Sequence, residues 1–361
     1  MKSTNTFLQI NPYPLIGLLY FFLGLMIIVF LFIMFFSFYK RKLEKRKKFW
    51  EEAISSVMSQ VIFYEEDGQS QMETKVDEKL LQNSNFRQYF IDEIIHAKKN
   101  LFGAPVSNLK KLYNLLKFDK DSLQKIHSTK WYIKAKGIQE LSIMEQVQFV
   151  KEIFRLTNDS DELVRNEAQC ALVNFYGFKG FRFLNVIVHP ISQWQQIQLL
   201  NYLHDAKTTD PEQLKKWLAS KNESVVTLAL RLAGFYNSFE VYNEVIQCLQ
   251  HPDQQVKLNA LMYLKKISTD DTAEKIINCY NFSDRTVKLA ILSVLEEIGN
   301  EKQVSFLLKQ LHDNDDTIKL ASAKTLSCLH PMGKAFFQTH LFADQNPWKA
   351  IFSQIENERA A

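Results

Sequence analysis

The sequence predicts an all-α protein, in which a single N-terminal transmembrane helix is followed by an α-solenoid of about seven helix pairs. Residues 15–38 form an uncharged apolar stretch. The later part of the chain repeats about every 31 residues, with apolar spacings typical of helices. The composition, 46% hydrophobic and 23% charged with 10 Gly and 4 Cys, excludes disordered, collagen-like and disulfide-scaffold proteins.

The apolar stretch is long enough to cross a bilayer. Its uncharged residues from Leu15 to Phe38 make a helix of roughly 36 Å, whereas a hydrocarbon core is about 30 Å thick. A cleavable signal peptide has a shorter apolar region and a small-residue cleavage site. We therefore expect a retained transmembrane helix at 15–39, preceded by a short extracytoplasmic N-terminus at 1–14.

A basic cluster follows the apolar stretch directly. It consists of Lys40, Arg41, Lys42, Lys45, Arg46, Lys47 and Lys48. Because this cluster far outweighs Lys2, the positive-inside rule places the N-terminus outside and the solenoid in the cytoplasm, at the cytoplasmic (inner) membrane. These side chains are also the candidate ligands of anionic lipid headgroups. Residues 40–64 are expected to form a basic juxtamembrane helix.

The remainder of the chain is slightly acidic. The total net charge is +4, and removing the +1 of residues 1–39 and the +6 of residues 40–48 leaves −3 after residue 48. Such a body lacks the basic footprint of a nucleic-acid-binding protein. Cysteine usage indicates a reducing compartment, because Cys170, Cys248, Cys279 and Cys328 are isolated within apolar helical patterns.

A fixed apolar phase recurs along residues 131–343. The anchor positions are Ile133, Val164, Gln195, Val226, Val256, Val287 and Ile318. They are separated by 31 residues, except for the 30 between Val226 and Val256. Eight residues beyond each anchor stands a leucine, with Gly234 as the exception. Each unit reads as two helices, and stacking the units joins their apolar stripes into one core.

Acids recur three residues before most anchors, where they cap a first helix. Four of them are followed four residues later by a base, namely Asp161 with Arg165, Asp253 with Lys257, Asp284 with Lys288 and Asp315 with Lys319. We expect this pattern to form a structural charge ladder rather than a binding stripe.

These motifs resemble HEAT repeats. The resemblance rests on Asp161-x-x-Val164-Arg165-x-x-Ala168 and Asp253-x-x-Val256-Lys257, and it is strongest for the short kind seen in phycobilisome-lyase-type repeats. It implies a right-handed α-solenoid of about seven HEAT-like helix pairs. It also implies a curved platform for protein partners, with the second helices on the concave side.

The flanks of the repeats depart from the 31-residue phase. Residues 65–84 are expected to be a polar acidic linker, and residues 85–130 a helical N-terminal cap. Residues 344–361 are expected to form a C-terminal capping helix, with a docking peptide as the alternative.

No catalytic motif stands out in the sequence. Phosphate-binding, dinucleotide-binding and nucleophile-elbow motifs are absent, and the eight histidines show no metal-ligand spacing. Gly177-Phe-Lys-Gly180 matches a GxxG loop formally but is expected to be a turn between helices. We therefore expect a protein that is not an enzyme and uses no cofactor, metal or nucleic acid.

The sequence thus predicts a membrane-anchored cytoplasmic scaffold that binds a protein at the same membrane. Candidate contacts lie on the polar side of the second helices, at Glu244, Gln247, Lys275, Asn278, Phe306 and Lys309. The alternatives are an accessory subunit of a membrane enzyme such as a glycosyltransferase, and a lyase-type HEAT protein. Self-association through Gly17 and Gly24 has weaker support, because their spacing differs from GxxxG.

Overall fold

A computed structural model describes residues 12–63, 76–203, 209–329 and 354. All regular elements within these ranges are helices. The chain divides into two compact units, Met1–Asp121 and Ser122–Ala361, which we treat separately. The predicted extracytoplasmic segment 1–14 lies mostly outside the described residues, as do most of the linker and the predicted C-terminal helix.

In the residues that the structure describes, the first unit is built on one long helix and four shorter ones. These are α1 (Pro12–Ile62), α2 (Glu78–Leu81), α3 (Ser84–Asn100), α4 (Ala104–Leu115) and α5 (Phe118–Ile126), the last of which crosses the unit boundary. Within the described chain, Tyr20–Ile62 of α1 is long and apolar enough to cross a membrane, by length and composition only. A signal sequence or a buried core helix passes the same test.

Helix α1 has two halves with opposite surroundings. In its N-terminal half the large apolar side chains are exposed, up to 72% for Phe35. In its C-terminal half, Trp50, Ile54 and Val61 are buried. The Trp50 ring lies 5.7 Å from that of Phe86 on α3, and Asn108 Nδ2 on α4 donates to the Val61 carbonyl at 3.1 Å. The segment predicted as a juxtamembrane helix is therefore continuous with α1, and its residues from Trp50 to Val61 contribute to the first unit's core.

The second unit alternates first and second helices. The first helices are α6 (Trp131–Ile143), α8 (Glu162–Tyr176), α9 (Gln193–Asn201), α11 (Glu223–Tyr236), α13 (Gln254–Lys266), α15 (Arg285–Ile298) and α17 (Asp316–Leu329). The second helices are α7 (Val150–Arg155), α10 (Pro211–Leu218), α12 (Tyr242–Cys248), α14 (Thr272–Asn278) and α16 (Val304–Gln310). Short 3-10 helices at Val147–Phe149, Leu156–Asn158, Phe239–Val241, Tyr280–Phe282 and Glu301–Gln303 flank them.

The repeats share one hydrophobic core. First helices pack against the first helices that follow, as α11 does on α13 and α13 on α15. Second helices pack against the next first helix, as α12 does on α13 and α14 on α15. The buried residues form a single cluster from Ile126 to Leu326. No helix pair buries its stripe alone, so stability comes from stacking.

Helix caps set the repeat register. The capping side chains of successive first helices are Asp161, Ser192, Asn222, Asp253 and Asp284. Since the cap precedes the anchor by three residues in the other units, Asn222 makes Val225 the structural anchor. The predicted anchor Val226 is thus one residue late, and Glu223 is the first helical residue rather than the cap.

The predicted charge ladder is wrong in detail. The repeated acids cap helices: Asp253 accepts the Val256 N–H at 2.8 Å and Asp284 that of Val287 at 3.0 Å. Within the described ranges, none of the four acids forms an ion pair with the base four residues later. Neighbouring units are joined instead by Lys134 with Asp159, Lys265 with Glu297 and Arg285 with Asp315.

One second element is a 3-10 helix, at Gly177–Asn185, instead of the predicted turn. Phe178, Phe181 and Phe183 are buried in it. A Cβ at Gly180 would lie 2.3 Å from the Leu172 carbonyl oxygen, so this position requires glycine. The GxxG match therefore reflects close packing on α8.

Candidate functional site

A groove runs between α12 and α14 of the second unit, and we call it the second-helix groove. It has a volume of about 530 Å³. Ile246, Leu249, Gln250, His251, Pro252, Lys257, Lys275, Asn278, Cys279 and Phe282 line it. The lining includes residues of the turns that follow α12 and α14, among them His251 and Phe282.

Phe282 is the most unusual residue of this groove. Its side chain is 88% exposed, whereas most phenylalanines in the described part of the second unit are buried or half-buried. Phe282 stands two residues before the cap Asp284. In other units this position holds a polar acceptor for the N–H of the capping residue: Asp159, Ser220, His251 and Asp313 do this.

Pro190 and Phe282 are the two departures from that pattern among the described units. Phenylalanine provides no acceptor, so Phe282 gives up a local hydrogen bond and exposes an aromatic ring. Neither folding of the turn nor burial accounts for it, because exposed phenylalanine contributes little to either. An exposed aromatic beside a groove is typical of a protein contact.

The groove carries two lysines in different states. Lys275 Nζ lies 2.6 Å from Asp271 Oδ2 and 5.0 Å from the centre of the Tyr242 ring. The hydrogen bond that Lys275 donates to Asp271 raises the pKa of Lys275 and lowers the pKa of Asp271. Lys257 is half-buried and has no carboxylate partner in the described ranges. The groove therefore offers one uncompensated positive charge.

The remaining polar groups of the groove show no sign of a reactive centre. Burial raises the pKa of the Cys279 thiol, although the charge of Lys257 lowers it, so the thiol is protonated at neutral pH. His251 Nδ1 accepts the Asp253 N–H at 3.1 Å, which fixes the ring in the turn. In the ranges that the structure describes, no group of His, Cys, Asp and Glu is arranged to hold a metal ion.

The predicted contact residues are distributed as follows. Lys275 and Asn278 line the groove. Gln247 is exposed on α12, and Lys309 is exposed on α16, outside the groove. Glu244 is half-buried, and its Oε2 atom has no hydrogen-bond partner in the described chain.

The helical spacing of the sequence predicts that Phe306 is exposed, but the structure does not place it there. It is half-buried against the core, and its ring meets that of Tyr280 edge-on at 5.0 Å. Sequence reasoning also missed Lys257 and Phe282, which lie outside the second helices. The signal was present, since Phe282 replaces the polar residue found two positions before most caps.

The basic cluster lies on α1 of the first unit, where all seven side chains are exposed. Lys40 pairs loosely with Glu44 at 3.9 Å, and the Arg46 guanidinium lies 5.0 Å from the centre of the Trp50 ring. The other five extend from the helix surface, so the cluster presents a dense positive charge between the apolar and buried halves of α1.

Comparison with known proteins supports the repeat assignment. Residues 242–327 match the family model of HEAT repeats. This part of the chain is similar to HEAT repeats. It includes α12, α14 and α16, and thus the whole second-helix groove. No curated protein matches the sequence.

Solved structures give more distant similarities. A designed armadillo repeat protein is 14% identical, with a TM-score of 0.31, over 58% of this chain and 99% of its own. Human deoxyhypusine hydroxylase in complex with glycerol is 12% identical, with a TM-score of 0.28, over 86% of this chain and 96% of its own. Scores this low transfer no activity to this protein.

Proposed function

We propose that this protein is a membrane-anchored cytoplasmic adaptor that binds a protein partner, at the same membrane, through the second-helix groove. The observation that carries the proposal is Phe282, an exposed aromatic in a position where most other units need a polar residue. Aromatic anchors next to a cationic group are typical of protein interfaces. The role is one of binding, with no catalytic step and no cofactor.

The anchoring half of the proposal rests on α1. Its N-terminal half exposes a continuous apolar surface, which water solvates poorly and a bilayer covers. The exposed basic cluster that follows favours the cytoplasmic side for the second unit and supplies contacts for anionic headgroups. Confinement to a membrane raises the effective concentration of a partner there, so modest affinity suffices.

Site-specific photocrosslinking in intact membranes tests the binding role. A benzophenone amino acid replaces Phe282 in the full-length protein, and Phe102, which is 87% exposed on the first unit, serves as the matched control position. We expect a discrete crosslinked protein at position 282, none at 102, and loss of the crosslink when Lys257→Glu is added. A crosslink that is equal at both positions, or that ignores Lys257→Glu, removes this groove as the docking site.

The earlier candidate Phe306 is a poor test position. Because its ring packs against Tyr280, replacing it with a charged residue disturbs the core as well as any interface. Phe282 has no such role, so its variants separate loss of binding from loss of folding.

Topology is tested independently by a reporter that is active only in the cytoplasm, fused after residue 361. Activity of this fusion, together with resistance of the protein to alkaline extraction, supports the anchored orientation. Extraction into the soluble fraction contradicts it.

A further inference from the structure

A second groove lies on the first helices, and it differs in chemistry from the second-helix groove. It has a volume of about 350 Å³ and is built from α9, α11 and α13, with no second helix in its lining. Two large apolar side chains border it: Phe235 is 50% exposed and Met262 is 60% exposed. We call it the first-helix groove.

Arg231 is the polar centre of this groove. It lies on α11 between the buried residues Leu230 and Leu232, and it is itself half-buried. Its Nε donates to Asn259 Oδ1 at 3.3 Å, which is a long bond to a neutral acceptor. Within the described residues no carboxylate pairs with it, and burial lowers the pKa of its guanidinium. A half-buried arginine without a counter-charge is a costly arrangement.

The neighbours of Arg231 do not supply that counter-charge. Lys266, the other basic side chain of the groove, also carries a positive charge. Asn259 is held by its own bond, since its Nδ2 donates to the Gln255 carbonyl at 2.7 Å. The groove therefore carries two positive charges within an apolar border, and it is electrostatically complementary to an anion attached to an apolar group.

The shape of the groove depends on Gly234. A Cβ there would meet only Tyr263 Cδ2 within 4 Å, at the ordinary contact distance of 3.7 Å. The helix thus tolerates a side chain at this position, and glycine leaves the floor of the groove open beside Arg231 and Phe235. A larger residue here fills the space without displacing backbone.

We propose that the first-helix groove binds a segment of a partner protein in which an aspartate or glutamate stands beside apolar residues, with its carboxylate on Arg231. The planar guanidinium fork matches a carboxylate in two-point hydrogen bonding, and this bond strengthens where water is excluded. Phe235 and the flexible Met262 side chain contact the apolar residues. This surface is independent of the second-helix groove, so either proposal can fail while the other stands.

An anionic lipid is the other chemistry that two cations attract. The structure of the groove favours a peptide over a lipid, because a half-buried guanidinium bordered by Phe235 and Met262 offers one directed contact. Lipid surfaces are bound by several exposed basic side chains, which this chain already carries on α1.

Selection from a phage-displayed library of random peptides tests the proposal with the full-length protein in phosphatidylcholine nanodiscs. Peptides enriched on the wild type and depleted on Arg231→Met are synthesised, together with versions in which the acidic residue is changed to its amide. We expect enrichment of Asp or Glu flanked by Leu, Phe or Met. Fluorescence anisotropy should show affinity reduced about tenfold or more by Arg231→Met.

Two further variants make the result specific. Gly234→Leu, which fills the floor of the groove, should abolish peptide binding without lowering the melting temperature. Lys257→Met, in the second-helix groove, should leave peptide binding unchanged. Enriched peptides without acidic residues, binding that survives Arg231→Met, or loss of peptide binding caused by phosphatidylglycerol in the nanodisc would each overturn the proposal, the last in favour of a lipid.

Discussion

Lys134 Nζ lies 2.7 Å from Asp159 Oδ2 and joins the first helix α6 to the turn that precedes α8. Both side chains are largely removed from water, with 20% and 10% of their surfaces exposed. Asp159 Oδ1 also accepts the Asp161 N–H at 3.0 Å, so one carboxylate holds both the neighbouring unit and the local turn. Contacts between units of this kind determine how cooperatively a repeat array unfolds.

The Lys134–Asp159 pair makes stability depend on pH in a defined direction. Burial raises the pKa of Asp159, but hydrogen bonds from Lys134 and Asp161 lower it, and the pKa lies below its ordinary value. The stabilisation is therefore present above the unfolded pKa of about 4 and is lost as the pH falls through the folded pKa. Asp159→Asn should cost about 1–3 kcal/mol at pH 7, and this cost should decrease as the pH falls below about 4.

Chemical denaturation of both proteins across this pH range measures the difference. Asn retains the acceptor for the Asp161 N–H, whereas its Nδ2 cannot accept from Lys134, so the variant removes the ion pair and its hydrogen bond but keeps the turn. A difference between wild type and variant that stays constant from pH 7 to pH 3 would show that the ion pair contributes nothing.

Two glycines should respond to alanine in opposite directions. At Gly180 a Cβ would lie 2.3 Å from the Leu172 carbonyl oxygen and 2.6 Å from Val173 Cα, both of which belong to the backbone. Gly180→Ala is expected to destabilise the protein by about 2 kcal/mol or more. Gly234→Ala meets only an ordinary contact and should stabilise α11 by up to about 1 kcal/mol. Differential scanning calorimetry of the two variants checks the signs, and equal responses would contradict the packing described.

Neighbouring aromatic residues of α1 should differ in their effect on the first unit. Trp50 is 6% exposed and packs on Phe86, whereas Phe49 is 57% exposed. Trp50→Ala should cost about 3 kcal/mol or more, and Phe49→Ala should be nearly neutral. Limited proteolysis of residues 76–121 reports this difference, because cleavage there requires local unfolding. Equal protection in both variants would mean that α1 is not part of that core.

The four cysteines should label in order of exposure. Burial raises the pKa of the Cys170 thiol to about 12 and that of Cys248 to about 11, so neither forms thiolate near pH 8. Cys328 is exposed and should react with a maleimide first. Cys170 and Cys248 should react only in denaturant. Rapid labelling of Cys170 in the native protein, read by mass spectrometry, would show that the core around it opens.

The repeat architecture was predictable from the sequence because it depends on local patterns. Capping residues and apolar spacing located most first helices, since both depend on residues close in the chain. The register at Asn222 was misplaced by one residue because Val225 and Val226 are both apolar, and only the hydrogen bond of the cap distinguishes them.

Long-range packing accounts for what the pattern did not show. The 3-10 helix at Gly177–Asn185 depends on the approach of Gly180 to α8, and the burial of Trp50 depends on α3. The groove residues Lys257 and Phe282 lie on the first helix α13 and at the end of a 3-10 helix, so the polar side of the second helices did not predict them. The first-helix groove is formed by three consecutive first helices, so local sequence patterns did not predict the position of Arg231 within it.

The continuity of α1 sets a distance between the bilayer and the folded protein. Between Gly24 and Ile62 the helix contains no glycine or proline at which to bend. From Phe38, where the uncharged stretch ends, to Trp50, the first buried side chain, the axis rises roughly 18 Å at 1.5 Å per residue. In the proposed orientation this exceeds the headgroup layer of about 5–8 Å. The exposed segment of α1 between these two residues then acts as a rigid spacer between the uncharged stretch and the first buried side chain of the first unit.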